Sequence, residues 1–347
     1  MQPSDVLSLR AALLAWYHAN KRDLPWRRTE DPYAIWVSEI MLQQTRVAAV
    51  IDRYHTFLER LPTVTALALA SEQEVLALWS GLGYYRRARM MHKAAQTLAA
   101  DHQSALPSTS ADLRKLPGIG AYTSAAIASI AHGEPIAVVD GNVERVICRL
   151  AGWEEPTGSG ATAQDREIHA FANRLLDPAH PGDFNQAMME LGATICLPRN
   201  PQCTACPLFT GCKTRGEHKT TPRLKMQSRK IGYALVLRKS RGRQTAQEVL
   251  LEQRSAAQSV MPGLWELPML HSPEVSANDL FLSVRHSIMQ VNYDVRVRSA
   301  TARTVLALTA EGGERHWIPL TQVASLPLTG LARKIFKLLK LLPTALS

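Results

Sequence analysis

The chain is nearly without cysteine outside one short stretch: of five, only Cys148 stands apart from Cys196, Cys203, Cys206 and Cys212. Clustering of this kind, in a chain that otherwise reads as cytosolic, argues against a disulfide framework. No run of apolar residues approaches membrane-spanning length. The opening MQPSDVLSLRAALLAWYHANKRDLPW interrupts its apolar stripe with Arg10, His18, Asn20 and Lys21, making a poor secretory signal and a good first helix. Acidic residues are outnumbered, 30 against 40 Lys and Arg, and the formal charge of +10 favours a polyanionic partner, most simply nucleic acid. Strand-like alternation is scarce before about Arg215, and no solenoid-type repeat is visible. These absences leave a basic cytoplasmic protein, nucleoid-associated and with no membrane contact, as the expectation.

What is present divides in two. At 347 residues the chain has room for two or three cores, and a hydrophobic fraction of 46% argues against wholesale disorder. AALLAWYHA, YAIWVSEIMLQQTRVAAVIDRYHTFL, SEQEVLALWSGL, YYRRARMMHKAAQTLAA, AYTSAAIASIAHG and NVERVICRLAG all repeat apolar residues at three and four. Residues 216–230 are polar, basic and aperiodic, which predicts a linker. From Ile231 the segments IGYALVLRK, EVLLEQR, GLWELPML, MQVNYDVRVRS and RHWIPL predict short strands, and LARKIFKLLKLL a closing helix.

The clustered cysteines form a C-x6-C-x2-C-x5-C run with no histidine inside it. Four thiolates suit an iron–sulfur cluster or an all-cysteine zinc site. One C-x2-C pair with two outlying cysteines puts the cluster ahead of zinc, whose usual arrangement is two such pairs. Pro198, Pro201 and Pro207 supply the bends that bring backbone close. Cys148 lies outside the spacing and predicts a buried core residue. Upstream, LPGIGAYTSAAIASI joins two helices through Gly118 and Gly120, whose turn exposes amide N–H groups beside a helix N-terminus, a ready phosphate site. PIAVVDGNVERV then sets Asp140 directly before another helix.

Hairpin, aspartate and cysteine run together resemble the helix–hairpin–helix base-excision glycosylases of the endonuclease III type. Within them, WVSEIMLQQTRV, WSGLGYYRRAR, LPGIGAYTSAA, VDGNVERV, FNQAMMELGATIC and the cysteines occur in the order of the MutY family of adenine DNA glycosylases. That resemblance, from about Leu7 to Leu342, implies a mostly α glycosylase fold with a 4Fe-4S cluster, followed by an α+β Nudix-like domain. The implied organisation is a helical catalytic region over 1–215 (a barrel lobe near 29–134 and a cluster lobe from 1–28 plus 135–215), the linker, and a lesion-recognition domain over 231–347. The implied partner is double-stranded DNA carrying A·8-oxoguanine or A·G mispairs, met by a monomer.

The resemblance assigns roles that the residue types allow. Glu39 lies in an apolar helix; facing a pocket, its carboxyl would stay protonated near neutrality and could protonate adenine. Asp140 would cap its helix and, ionised, stabilise or trap the cationic sugar, with Asn142 orienting these groups. Tyr122 stands where bifunctional relatives carry a Schiff-base lysine, which predicts a glycosylase without AP lyase activity. Tyr84 would wedge at the lesion beside Arg86, Arg87 and Arg89, which would meet phosphates, while Gln44 fills the gap left by the extruded adenine. Trp26, Arg27, Leu42 and Gln186 are candidates for the adenine pocket. MPGLWELP resembles the start of a Nudix box whose metal-binding acidic pairs are missing, so lesion recognition rather than nucleotide hydrolysis is implied. The family's Phe-Ser-His loop corresponds to RHSIMQVNYDV, which has no Phe before the polar pair and carries it in reversed order. The segment is either a plain strand start or a reader with Ile288 as an apolar wedge and His286, Ser287 or Gln290 bonding the lesion. Two further readings stay open: a mismatch glycosylase for another base, such as thymine from G·T, and a non-catalytic DNA-binding or redox-sensing protein.

Overall fold

The structure is a computed structural model describing residues 3–156, 163–217, 226–239, 247–258, 260–276, 278–288, 291–310 and 312–342. Its contacts divide the chain into two units, Met1–Ala68 with Lys93–Pro222, and Leu69–His92 with Arg223–Ser347. The second unit therefore claims a stretch, Leu69–His92, that the sequence places inside the catalytic region. Among the described residues no helix is long and apolar enough to cross a membrane.

The first unit is helical, as expected. The helix Pro3–Asn20 turns Leu9, Leu13 and Tyr17 inward, spaced one turn apart, against Val143, Ile147 and Leu150 of the helix Gly141–Ala151 and Phe184, Met188 and Leu191 of Pro181–Thr194. Cys148 is buried in this core. Ala121–His132 owes its close packing to small residues: Thr123, Ser124, Ala125, Ala126, Ala128 and Ser129 are all buried. It packs on Pro32–Leu42 and on Pro181–Thr194. Asn185 ties the chain leading to Asp140 in place. Its amide donates to Ser129 Oγ at 2.9 Å and to the Ile136 carbonyl at 2.8 Å, and its carbonyl oxygen accepts from Val138 N at 3.0 Å. YAIWVSEIMLQQTRVAAVIDRYHTFL is two helices, Pro32–Leu42 and Val47–Arg60, separated by a turn in which Gln44 takes φ +56°.

The second unit carries a mixed sheet of β1 (Gln227–Lys239), β2 (Gln247–Gln253), β3 (Trp265–Glu266), β4 (Leu280–Ile288), β5 (Val291–Ala300) and β6 (Glu314–Pro319). The strand order is β3-β2-β1-β5-β4, with β6 also on β2; only β1 and β5 run parallel. Alternation sends Tyr233 and Leu235 to one face, under the helix Gly330–Leu338, and Ala234 and Val236 to the other, with Leu270 and Val305. Strand β1 begins inside the stretch read as linker, because Gln227–Lys230 pair with Val291–Asp294. The stretch Leu69–His92 is stitched to this fold by polar bonds. Tyr85 Oη and Ser80 Oγ both donate to the Leu328 carbonyl (2.7 and 3.2 Å), Arg333 Nε donates to Ser80 Oγ (2.7 Å), and Arg89 Nη2 donates to the Pro262 carbonyl (2.7 Å).

Candidate active site

A cavity of about 610 Å³ in the helical unit gathers Glu39, Tyr122, Asp140 and Asn142. Trp26, Arg27, Leu42, Gln44 and Gln186 line it too. Glu39 is buried on the apolar helix Pro32–Leu42, and Tyr122, in the first turn of Ala121–His132, donates to its Oε2 at 2.7 Å. Burial raises the Glu39 carboxyl to about 7; Asp140 adds to the rise, while the Tyr122 hydrogen bond and Arg27 oppose it. The Tyr122 hydroxyl is itself pushed well above its ordinary value, first by burial and then by the charge of Glu39, so it donates and does not ionise.

Asp140 caps the helix Gly141–Ala151. Its Oδ1 accepts from Asn142 N (2.9 Å) and Val143 N (2.7 Å), and its Oδ2 accepts from Asn142 Nδ2 (3.0 Å). The carboxylate thus sits at the positive end of a helix, on the wall of the cavity. Asn142 is held in turn by Arg145, whose Nη2 donates to Asn142 Oδ1 at 3.0 Å.

Glu190, Met189, Arg22 and Gln43 also line the cavity and escaped the sequence reading. Glu190 is buried, and accepts from Arg22 (2.7 Å) and Arg27 (2.8 Å). Burial alone would raise its carboxyl, but the two guanidiniums outweigh it and hold the group at about 2. Arg27 is thereby fixed over the Tyr17 ring, 5.5 Å from its centroid. The available signal was the spacing of Gln186 and Glu190, four apart on one helix face.

Gly118 and Gly120 lie at the hairpin rather than on the cavity. Gly118 has φ +77°, which excludes a side chain cheaply, and Gly120 precedes the helix that carries Tyr122. Tyr84 belongs to the second unit, where the residue is 48% exposed. Of the three arginines beside it Arg86 is exposed, whereas Arg87 packs on aromatic rings and Arg89 pairs with Glu72.

His286, Ser287 and Ile288 lie in strand β4, paired with Tyr293, Asn292 and Val291, and Gln290 falls outside the described residues. Ser287 Oγ donates to Asn292 Oδ1 at 2.6 Å, and His286 is half-buried, its pKa lowered by burial and by Lys334. His286 and Ser287 still border a second cleft of about 610 Å³, with Arg229, Lys230 and Arg285 beside them. The carboxylates of the Nudix-like stretch are occupied: Glu266 pairs with Arg254 and Glu252 with Arg315.

Cys196, Cys203, Cys206 and Cys212 line one small cavity, beside Arg149. Arg149 Nη1 is 3.5 Å from Cys196 Sγ, and Arg145 Nε donates to the Cys196 carbonyl at 2.9 Å. Among the described residues no three His, Cys, Asp or Glu side chains close around a point as they would for one ion. Four cysteines round one cavity, beside the buried Arg145 and Arg149, are a donor set that fits a thiolate-ligated metal group.

A family model for HhH-GPD superfamily base excision DNA repair proteins matches residues 37–174. The adenine DNA glycosylase of Homo sapiens is 47% identical over 221 residues, covering 61% of this chain and 40% of the human protein. That of Mycobacterium tuberculosis (strain CDC 1551 / Oshkosh) is 42% identical over 198 residues, 56% of this chain and 64% of its own. Over its helical region the chain is similar to these adenine DNA glycosylases, and residues 37–174 carry the superfamily's pattern. It spans less than two thirds of the length of these relatives. Among solved structures, a thermostable thymine-DNA glycosylase is similar at 28% identity with a TM-score of 0.56, over 61% of this chain and 97% of that one.

Proposed function

We propose that the chain is a monofunctional adenine DNA glycosylase of base excision repair, extruding adenine mispaired with 8-oxoguanine or guanine and hydrolysing its N-glycosidic bond. The observation that carries this is a buried carboxyl, Glu39, poised at about 7 and bonded to a tyrosine where an imine-forming lysine would have to stand. Protonated Glu39 gives its proton to a ring nitrogen of the flipped base. The C1′–N bond then breaks, its electron pair leaving with the base. Asp140, anionic at a helix end, faces the cationic sugar that results. Water adds to C1′, and its proton returns to the Glu39 carboxylate. No lysine lines the cavity among the described residues.

Trp26, Leu42 and Gln186 wall the adenine while the Glu190-bound Arg27 presents a fixed donor edge. Gly118 and Gly120 offer amide N–H groups to phosphate; Gln44, exposed in its left-handed turn, fills the vacated stack, and Tyr84 acts as an aromatic wedge. The α+β unit reads the opposite strand at the basic cleft that holds His286 and Ser287. Cys196, Cys203, Cys206 and Cys212 would hold a 4Fe-4S cluster whose contribution is structural, anchoring the loop beyond Cys196 to Arg145 and Arg149. The protein acts as a monomer.

Single-turnover assays on duplexes with A·8-oxoguanine, A·G and T·G test the reading. Adenine release from the first two is expected, with no borohydride-trapped covalent adduct. Release of thymine alone, as the name of the thymine-DNA glycosylase would imply, overturns it.

A further inference from the structure

Tyr84 and Tyr85 are adjacent but treated in opposite ways. Tyr85 is buried with its hydroxyl on the Leu328 carbonyl, whereas Tyr84 turns its ring outward. The reversal follows from backbone: Gly81, Gly83 and Tyr84 all have positive φ, at 102°, 70° and 46°. For the two glycines this is easy; for a bulky aromatic residue it is strained, and persists only where surrounding contacts over-determine it.

Arg87 supplies those contacts. Its amide N–H bonds the Tyr84 carbonyl at 2.9 Å, closing the turn. Its Nη2 donates to the Leu82 and Gly83 carbonyls, both at 3.2 Å, and the Gly83 carbonyl also accepts from Trp79 Nε1 at 3.1 Å. The guanidinium lies 5.4 Å from the buried Trp79 ring and 5.7 Å from the Tyr84 ring. Half-buried, it interacts with both π-faces more strongly than it would in water. Burial lowers its pKa only to about 10, so it stays charged at neutrality.

We propose that Arg87 is a positioning residue that presets Tyr84 as a rigid aromatic wedge, its guanidinium spent inside the turn rather than on DNA phosphate. This rests on the glycosylase reading only in supplying the stack that the wedge enters. A ring ordered before binding has less conformational freedom to lose when it enters a base stack, so base extrusion is the step that gains.

The test uses the full chain with enzyme in excess, on adenine paired with 8-oxoguanine in a duplex and on adenine in a single-nucleotide bulge, where little extrusion is needed. Arg87→Met is expected to slow excision at least tenfold in the duplex and less than twofold in the bulge, with Arg87→Lys in between. Tyr84→Ala should match Arg87→Met, and the double variant should be no more than twofold slower than either. Equal loss on both substrates, or multiplying losses in the double variant, overturns the proposal. With 2-aminopurine opposite 8-oxoguanine, the fluorescence rise on binding should shrink in Arg87→Met while the Kd changes less than threefold. An undiminished rise overturns the proposal even if chemistry is slow. Should Arg87→Met not fold, Arg87→Lys carries the same comparisons with the same signs. If the wild-type chain releases no adenine yet raises the fluorescence, the function reading fails and this comparison still decides the role of Arg87.

Discussion

Two glutamates in one cavity are tuned in opposite directions, and the difference is whether a guanidinium bonds them directly. Glu39 has burial and a neighbouring anion; Glu190 has burial and two arginines. Between the ordinary glutamate range and about 7, the folded chain keeps a proton on Glu39 that the unfolded chain has released, so its share of stability falls as pH rises through that window. Glu39→Gln should therefore raise the melting temperature above pH 7 and change it little near pH 4. It should also slow excision by roughly 10²–10⁴. The wild-type rate is expected to decline above about pH 7, and the variant to lose that decline. Glu190 has the reverse sign: its depressed pKa stabilises the fold above the ordinary range, and that share is lost as pH falls toward about 2. Urea midpoints taken from pH 5 downward should drop less steeply in Glu190→Gln. Glu39 was legible because its motif names it, whereas Glu190 required seeing Arg22 and Arg27 arrive from the far end of the chain.

At the scale of elements, Asp140 is placed by the helix it caps, and that helix by the one packed against it. A Cβ on Gly192 would come 2.6 Å from Asn142 Cβ and 3.0 Å from its carbonyl, while the Gly192 carbonyl accepts from Arg145 at 2.7 Å. Gly192→Ala should push Asn142 off Asp140, costing about 1–3 kcal/mol of stability and at least about tenfold in excision rate. A variant as fast as wild type would show that Asp140 does not need this support. The helix periods were legible, since each repeats within a few residues. The turn at Gln43–Arg46 inside an apparently continuous pattern was not, nor was β4, a half-exposed edge strand whose polar face hides its alternation. His286 and Ser287 consequently belong to a strand, Ser287 bonded across it to Asn292.

For the molecule as a whole, the net charge of +10 predicts that binding to duplex DNA weakens linearly in log–log terms with added salt, measurable by fluorescence anisotropy. Cys206→Ser is expected to lower bound iron and acid-labile sulfide together and to reduce the melting temperature; zinc in place of iron in the purified chain would overturn the cluster assignment. The grouping of Leu69–His92 with the strand-rich unit has its own consequence. Tyr85→Phe should cost about 1 kcal/mol and speed amide exchange around Trp79–Tyr85, because one donor to the Leu328 carbonyl is gone. By itself the sequence determined the helical periods, the hairpin, the cysteine spacing and the presence of an acid, an aspartate and a tyrosine, all of which depend on neighbours within a turn or two. Only the tertiary structure decided how these groups are charged and bonded. Tyr122 reaches Glu39 across 83 residues and Arg27 reaches Glu190 across 163, and burial and charge pairing arise from atoms that the chain brings together only on folding.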